Sequence, residues 1–339
     1  MKKGILLLNL GSPDSPSVPD VRRYLAQFLM DPCVIDIPWL LRFLVIYGFV
    51  LPKRPEETAK GYSKVWTADG SPLLVYSRAL HEALIPVLSD ETTALYLAMR
   101  YGQPAIPDVL RQMRDDGVTE IVTVPLYPHY AMSSTGTAIA ECEKSLARLG
   151  WQPTVRTVAP FYGHPKYIEA LVSRISKSLA TANWEHLLFS YHGLPERHLK
   201  KTDPTGSHCM RESGCCGAPS AAHATCYRHQ VFETTRLVAE AMGLRPDQYS
   251  VSFQSRLGRD KWLEPFTDPH VEMLSQRGIK HLAVVCPAFV ADCLETIEEI
   301  GEVTCEKFLH LGGETFTLVP CLNSDPEWVA ALAEIIARP

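Results

Sequence analysis

The sequence predicts an α/β protein built from two similar domains, each a parallel sheet flanked by helices. Short apolar runs alternate with helix-like stretches along the whole chain, which is the order typical of βαβ units. The two halves also echo each other, because each contains a strand that ends in Gly-x-Pro and a later strand that follows a glycine turn. We therefore expect a cleft between the domains, at the carboxyl ends of both sheets, to hold the ligand.

The predicted strands follow one another with helical stretches between them, so right-handed crossovers should set them side by side in parallel. They cover residues 4–10, 93–99, 120–126 and 154–160 in the first half, and 186–191, 249–254, 281–286 and 316–320 in the second. This order predicts an N-terminal domain over 1–155 and a C-terminal domain over 156–324. A C-terminal helix over 325–339 is expected to pack back on the first domain.

Strand 186–191 leads into His192, whereas the matching strand of the first half has Leu10 at that place. Because ligands of open α/β folds bind at the carboxyl ends of strands, this difference makes the second domain the candidate for chemistry. A histidine at a strand end can equally be a satisfied polar group. The strand alone does not decide between the two.

Three carboxylates follow the strand 281–286. On an α-helix, Asp292, Glu295 and Glu299 fall within an arc of about 60°, and their repulsion and partial burial should raise the pKa of at least one of them. Carboxylates with an imidazole also suit a transient site for divalent iron. Complementation of the helix dipole explains Asp292 equally well, but it does not explain Glu299.

Composition and missing motifs exclude several classes. A formal net charge of -5 gives no electrostatic reason to expect nucleic acid as a partner. The chain lacks Gly-x-Gly-x-x-Gly after its first strand, a Gly-Lys-Ser/Thr loop and a Gly-x-Ser-x-Gly elbow, which argues against nucleotide binding and serine hydrolysis. The first apolar run is too short for an export signal, so the 10 cysteines are expected to be reduced thiols or metal ligands.

An apolar segment over 38–51 is interrupted by Arg42 and Gly48 and is too short to span a bilayer. Its aromatic residues predict an interfacial or pocket-lining segment, with an ordinary core helix as the alternative.

Motifs typical of one family are spread from end to end of the chain: 8–13 (LNLGSP), 23–25 (RYL) with 28–29 (FL), 62–66 (YSKVW), 70–73 (GSPL), 100–102 (RYG), 125–130 (PLYPHY), 134–136 (STG), 190–195 (SYHGLP), 253–258 (FQSRLG) and 292–299 (DCLETIEE). Together they give the chain a close resemblance to the ferrochelatases, in the proteobacterial form that uses protoporphyrin. The resemblance implies a pair of Rossmann-like domains and insertion of Fe(II) into protoporphyrin IX, with loss of two pyrrole protons, as the terminal step of haem synthesis.

The resemblance also implies roles for individual residues. His192 would be the essential histidine, as proton acceptor or iron ligand, with Glu295 as its counterpart across the macrocycle. Asp292 and Glu299 would continue an acidic path for protons or metal. Six residues would bind the porphyrin, namely Arg100, Tyr101, Tyr127, Trp262, Ser134 and Thr135. The lip of the pocket would lie at 34–54, and the enzyme would be cytoplasmic with a peripheral membrane contact through 38–51.

An insertion over 203–228 departs from the simplest bacterial pattern, because it brings four cysteines into one loop: Cys209, Cys215, Cys216 and Cys226. Four thiolates are the ligand count of a 2Fe-2S cluster, which some family members carry. The adjacent pair 215–216 departs from the spacing of zinc ribbons. Zinc and unligated thiols remain alternatives, and three nearby histidines, His208, His223 and His229, could replace a thiol as ligand.

Rival functions keep the same fold. One is a chelatase for coproporphyrin III and iron or for sirohydrochlorin and cobalt, against which the segment through Phe28 argues. The others are a non-catalytic haem carrier that kept the pocket and a redox sensor built on the cysteine loop. The sequence leaves the oligomeric state open.

Overall fold

The structure is a computed structural model that describes residues 2–212, 214–256, 258 and 260–337. Met1 of the predicted first domain, Ser213 of the insertion, Leu257 of the 253–258 motif, and Arg338 and Pro339 of the predicted C-terminal helix lie outside the described residues. Contacts within the chain divide it into two compact units. The N-terminal unit contains the described residues of Met1–Leu126, Met132–Ala159 and Ala333–Pro339, and the C-terminal unit contains those of Tyr127–Ala131 and Pro160–Leu332.

All of the predicted strands are present, within a few residues of their predicted bounds. They are β1 (Lys3–Gly11), β2 (Thr93–Tyr101), β3 (Glu120–Pro125), β4 (Thr154–Thr157), β5 (His186–His192), β6 (Tyr249–Gln254), β7 (His281–Val285) and β8 (Thr315–Leu318). The order is β2-β1-β3-β4 in the N-terminal unit and β6-β5-β7-β8 in the C-terminal unit, with parallel pairing throughout. The predicted α/β class is confirmed, and the two sheets share one strand order.

Helices separate the strands. The α-helices are α1 (Val18–Leu29), α2 (Trp39–Val45), α3 (Arg54–Val65), α4 (Pro72–Leu88), α5 (Ile106–Asp115), α6 (Thr137–Leu149), α7 (Pro165–Leu179), α8 (Glu196–Lys201), α9 (Tyr227–Ala241), α10 (Thr267–Gln276), α11 (Cys305–His310) and α12 (Pro326–Ala337). Wider π-helices cover Ile46–Val50, Met132–Gly136 and Glu295–Thr304, and a short 3-10 helix covers Ala221–Ala224.

Local sequence sets where these elements begin. Ser17 and Ser71 cap α1 and α4, because their side chains accept hydrogen bonds from the backbone N–H of Asp20 and Leu74. Proline in the first helical positions reinforces both starts, since its missing N–H has no partner to lose there.

The core of each unit lies on its central strand. Leu6, Leu7 and Leu8 of β1 are fully buried, as are Leu187, Leu188 and Phe189 of β5. Helices cover both faces of a parallel sheet, so consecutive residues are buried and the strand appears in sequence as an unbroken apolar run. This is why the strands could be located from sequence.

The segment over 38–51 forms α2 and the following π-helix. Trp39 is 62% exposed and Phe49 is 75% exposed, so the interpretation of this segment as an ordinary core helix is wrong. Arg42 turns inward together with Ile46 and Leu51, and its side chain donates from Nη1 to the carbonyls of Ile35 (2.8 Å) and Ile37 (3.1 Å). Within the described ranges, no helix has the length and apolar character needed to cross a bilayer.

Candidate active site

His192 is the last residue of β5, the strand that pairs with both β6 and β7. Its ring is half-buried, and its Nδ1 lies 2.7 Å from the Gly193 carbonyl oxygen. Because a carbonyl oxygen can only accept, Nδ1 carries the hydrogen and Nε2 of the neutral ring keeps its lone pair. The imidazole is therefore arranged to accept a proton or to hold a metal through Nε2.

The backbone around His192 is held by two hydrogen bonds. The Gly193 N–H donates to the Gln254 carbonyl at 2.7 Å, and the Tyr227 hydroxyl donates to the His192 carbonyl at 2.9 Å. A Cβ on Gly193 would lie 2.8 Å from the Gln254 carbonyl oxygen and 3.2 Å from Cε3 of Trp262. Only glycine fits this close approach, in which the backbone after His192 lies against the Gln254 carbonyl and the Trp262 ring.

Glu295 and Glu299 belong to the π-helix Glu295–Thr304. Its buried residues, Thr296, Ile300 and Thr304, are spaced by four, so Glu295 and Glu299, also four apart, share a neighbouring face. Gln254, the register partner of His192, donates from Nε2 to the Glu295 carbonyl at 3.0 Å. The helix start is thereby tied to the strand end that carries His192.

Burial raises the pKa of the Glu299 carboxyl above its ordinary value. Hydrogen bonds from Ser255 and the nearby His192 oppose this rise, while the charge of Glu295 adds to it. The carboxylate accepts the Ser255 N–H at 2.8 Å and also a short hydrogen bond from the Ser255 hydroxyl. His192, Glu295 and Glu299 therefore form one electrostatically coupled group within the C-terminal unit.

Asp292 does not share this helical face, and that part of the prediction is wrong. The π-helix begins at Glu295, and Asp292 precedes it, buried among protein donors. Its carboxylate accepts from Asn323 Nδ2 at 2.7 Å, Thr296 Oγ1 at 3.0 Å and the Cys321 N–H at 3.2 Å. The carboxylate holds the start of the helix in place, because it joins Thr296 in the helix to the segment over 321–323.

Two predicted porphyrin-binding residues are engaged inside the N-terminal unit. Tyr101 is fully buried and its hydroxyl donates to Asp31 Oδ2 at 2.9 Å, and its contact with a porphyrin stays a prediction. Arg100 forms a buried ion pair with the same carboxylate and donates from Nε to Thr137 Oγ1 at 2.7 Å. Both side chains serve an internal polar cluster around Asp31.

The other predicted porphyrin contacts are placed as follows. Ser134 lies half-buried in the π-helix Met132–Gly136, and the buried Thr135 hydroxyl beside it has no hydrogen-bond partner among the described residues. Tyr127 is half-buried in the C-terminal unit. The indole N–H of Trp262 is buried and lacks a hydrogen-bond partner within the described part of the chain. Their contacts with a porphyrin stay predictions.

A family model described as ferrochelatase matches residues 2–339. A ferrochelatase of Stutzerimonas stutzeri (strain A1501) is 48% identical over 338 residues, which is 99% of this chain and 98% of the relative. A ferrochelatase of Ectopseudomonas mendocina (strain ymp) is 50% identical over 335 residues, with 98% and 97% covered. The chain belongs to the ferrochelatase family. As a ferrochelatase it is an enzyme, a metal chelatase of haem biosynthesis that forms protohaem by iron insertion.

The fold has counterparts among solved structures. The structure of SirB from Bacillus subtilis with Fe3+ superposes with a TM-score of 0.57 at 13% identity, covering 99% of this chain and 94% of that chain. At this identity the similarity supports the fold alone. The predicted pairing of two chelatase-type domains in this ferrochelatase is confirmed.

The cysteine loop of this ferrochelatase gathers its thiols. Cys209, Cys215 and Cys226 are buried and Cys216 is half-buried. A hydrogen bond from Cys216, with others from Cys209 and the His229 backbone, lowers the pKa of Cys226 to about 5 despite its burial. Arg228 donates from Nη1 to the Cys216 sulfur at 3.3 Å. The loop therefore stabilises a thiolate at Cys226.

The thiols fit an iron–sulfur cluster in donor type, but they are not arranged as a finished ligand set. No group of three or more His, Cys, Asp or Glu side chains in the described ranges is placed to hold a metal ion. The three histidines contact the loop backbone. His208 Nε2 lies 2.7 Å from the Cys215 carbonyl, His229 Nδ1 lies 2.9 Å from the Cys216 carbonyl, and the His223 ring stacks on His229 at 3.5 Å.

Sequence reasoning missed several residues that build this ferrochelatase site. Gln254 and Ser255 belong to the motif 253–258 (FQSRLG), to which no role was assigned. That motif was the signal in the sequence that could have identified them. Tyr227 and Asn323 reach the site from distant helices and loops. Outside this site, Asp31 of the N-terminal unit was also missed, because a single acidic residue has no local sequence pattern that marks the polar cluster around it.

Proposed function

We propose that this ferrochelatase inserts Fe(II) into protoporphyrin IX with His192 as the group that accepts the pyrrole protons. The observation that carries the proposal is the hydrogen bond from Nδ1 to the Gly193 carbonyl, which leaves Nε2 as a proton acceptor. Glu295 and Glu299 stand in the same electrostatic group. The overall reaction replaces two pyrrole protons with one ferrous ion, so the protons need an exit.

The chemistry demands such a base. A planar free-base porphyrin keeps its nitrogen lone pairs in the ring plane, and a metal ion can enter only when the ring buckles and the N–H protons leave. Binding of the large apolar macrocycle can supply the strain, since contacts made away from the reacting atoms can stabilise a distorted ring. Removal of a proton during this step is general-base work suited to an imidazole.

Glu299 supports the second half of the proposal, the removal of protons from His192. Its raised pKa brings the carboxyl closer to neutrality, where it can take a proton and release it again. The charge of Glu295 adds to the rise in the pKa of Glu299. Asp292 acts in this proposal as a positioning residue at the start of their helix.

The test is metallation by the purified protein, supplied with Fe(II) and protoporphyrin IX or coproporphyrin III, and with Co(II) and sirohydrochlorin. We expect turnover with protoporphyrin IX, and a preference for coproporphyrin III or for sirohydrochlorin would contradict the proposal. His192→Ala should retain porphyrin binding while metallation falls by about 10²–10⁴-fold, the contribution typical of a general base. The exposed His310 offers the control His310→Ala, which should keep full activity. A non-catalytic carrier would bind haem and show no metallation even in the wild type.

We also propose that the four cysteines of the loop ligate a 2Fe-2S cluster, for which the side chains must rearrange from their present hydrogen-bonded positions. Their number, their burial in one loop and the acidic thiol of Cys226 support this. Visible absorption after anaerobic purification, with iron, sulfide and zinc analysis, tests it. Cys216→Ser should abolish the absorption and Cys305→Ser, at a half-buried cysteine elsewhere in the unit, should not. A colourless, active wild type, or one that holds zinc, would overturn the cluster.

For the segment over 38–51 we propose a peripheral contact with a membrane surface, made by an enzyme that works in the cytoplasm. The exposed apolar residues of α2 and of the π-helix that follows support the contact, because aromatic and aliphatic side chains on one short helical segment partition into the interface of a bilayer. An apolar porphyrin would pass between enzyme and membrane at such a contact.

A further inference from the structure

The cysteine loop and the backbone of His192 are joined through one side chain. Cys226 ends the loop and caps α9, and Tyr227 is the first residue of that helix. The Tyr227 hydroxyl donates to the His192 carbonyl at 2.9 Å. A single peptide bond therefore separates a thiol of the loop from the residue that holds the end of β5.

Burial and ring contacts hold the Tyr227 side chain in place, so a shift of the α9 start would also shift its hydroxyl. Tyr227 is buried, and its ring meets the edge of His129 at 5.9 Å, while His129 meets Tyr191 at 5.4 Å. The neutral His129 is itself anchored, with Nε2 2.9 Å from Thr234 Oγ1. Burial raises the pKa of Tyr227, so its hydroxyl stays protonated and remains a donor.

The loop end of the connection is also fixed. Gln230 lies one turn along α9, is fully buried and donates three hydrogen bonds. Its backbone N–H donates to the Cys226 carbonyl at 3.1 Å, and its side-chain Nε2 donates to the carbonyls of His223 and Ala224 at 3.0 Å each. The loop and the first turn of α9 are thus one hydrogen-bonded piece. A displacement of Cys226 must move Tyr227 with it.

We infer that Tyr227 is a positioning residue for His192, and that it links the state of the cysteine loop to the placement of the imidazole. The inference rests on the proposed function, since it takes His192 as the proton acceptor, but it does not depend on what the thiols bind. The His192 carbonyl is part of the backbone that aims the ring. Misplacement of a reacting group by about 1 Å can lower the rate about 10²-fold. A small shift of the loop that moves His192 would therefore lower kcat.

Tyr227→Phe tests the positioning role, because it removes the hydroxyl and keeps the ring. We expect kcat to fall about three- to tenfold, the effect of one lost buried hydrogen bond, with the KM for porphyrin and the visible spectrum of the loop unchanged. Tyr249→Phe is the matched control, because Tyr249 begins β6 at the opposite end of the sheet. A kcat equal to that of the wild type, or one that falls only as far as folded protein is lost by circular dichroism, would overturn the inference.

A double-mutant cycle with Cys216→Ser tests the link to the loop. We expect Cys216→Ser to lower kcat in the wild type and to have a much smaller effect in the Tyr227→Phe background, because the connection is already broken there. Effects that multiply independently would contradict the link. Absence of metallation by the wild type would instead refute the proposed function, so the two failures can be told apart.

Discussion

In the proposed function, His192 can act as a base because its Nδ1 carries the hydrogen and its Nε2 keeps a lone pair. The Gly193 carbonyl takes the Nδ1 hydrogen of His192, and the glycine is required because a Cβ there would meet the Gln254 carbonyl oxygen at 2.8 Å. In the SYHGLP motif, His192 supplies the proton acceptor Nε2. Gly193 permits the backbone turn whose carbonyl fixes the tautomer of His192.

The buried Glu299 carboxylate destabilises the folded protein when it is ionised, and this effect can be measured. Its folded-state pKa lies above the unfolded value, so its contribution to stability is full below the unfolded pKa and is lost as the pH rises through the folded pKa. We expect Glu299→Gln to have a higher Tm than the wild type at pH 8, with the difference shrinking toward pH 4.5. Thermal unfolding across this range checks it. The exposed Glu306→Gln should show no such trend, and a lower Tm for Glu299→Gln at pH 8 would contradict the argument.

Single residues also mark the limit of what sequence can predict. His192, Glu295 and Glu299 were identified because a strand end and a spacing of four are visible along the chain. The surroundings of Asp292 were not, because its carboxylate is satisfied by Cys321 and Asn323, roughly thirty positions away. The hydrogen bond between Tyr101 and Asp31 was not predicted for the same reason, since Asp31 carries no local pattern.

Among the elements, the strands were predictable and the π-helices were not. Parallel strands covered on both faces leave unbroken apolar runs, whereas Glu295–Thr304 has the same residue types as an α-helix and differs only in its wider hydrogen-bonding ring. The π-helices coincide with the segment over 38–51, the STG motif and the acidic segment. Such helices are frequently found at functional sites. In the acidic segment the wider turn places Glu295 and Glu299, which are four residues apart, on one face of the helix.

The polar cluster that joins α1, β2 and α6 gives a prediction at the element scale. Asp31 accepts from Tyr101 at 2.9 Å and Thr137 at 2.6 Å and pairs with Arg100. Burial raises its pKa, but these bonds and the Cys33 N–H bring the pKa below its ordinary value, so this stability is lost as the pH falls through the folded pKa.

Asp31→Asn should destabilise the protein by about 1.5–3 kcal/mol at pH 7, because it removes the charge-assisted hydrogen bond of Arg100 and leaves the guanidinium with the more distant Glu141 carboxylate at 3.8 Å. Urea unfolding measures the loss. Asp14→Asn is the control, since Asp14 pairs with Arg23 at an exposed site, and such pairs contribute about 0–1 kcal/mol. Equal effects of the two substitutions would refute the structural role assigned to the cluster.

At the scale of the whole molecule, two units share one strand order but carry different functional features. Both central strands are buried apolar runs with neighbours in the same order, yet only β5 ends in an imidazole, and only the C-terminal unit carries the acidic π-helix and the cysteine loop. The N-terminal unit contributes the exposed apolar segment over 38–51. In the proposed function, the chemistry would therefore belong to one unit and the membrane contact to the other.

The exposed apolar segment predicts how the whole molecule behaves at a bilayer. Transfer of one large apolar side chain from water is worth about 1.5–3 kcal/mol, so the double variant Trp39→Ser/Phe49→Ser should bind lipid vesicles at least about tenfold more weakly than the wild type. Flotation with vesicles of neutral phospholipid measures this. Val87→Ser removes an apolar side chain that is 55% exposed on α4 and should float as the wild type does. A wild type that stays in the dense fraction, or a double variant that floats equally well, would show that the exposed segment serves something other than a membrane.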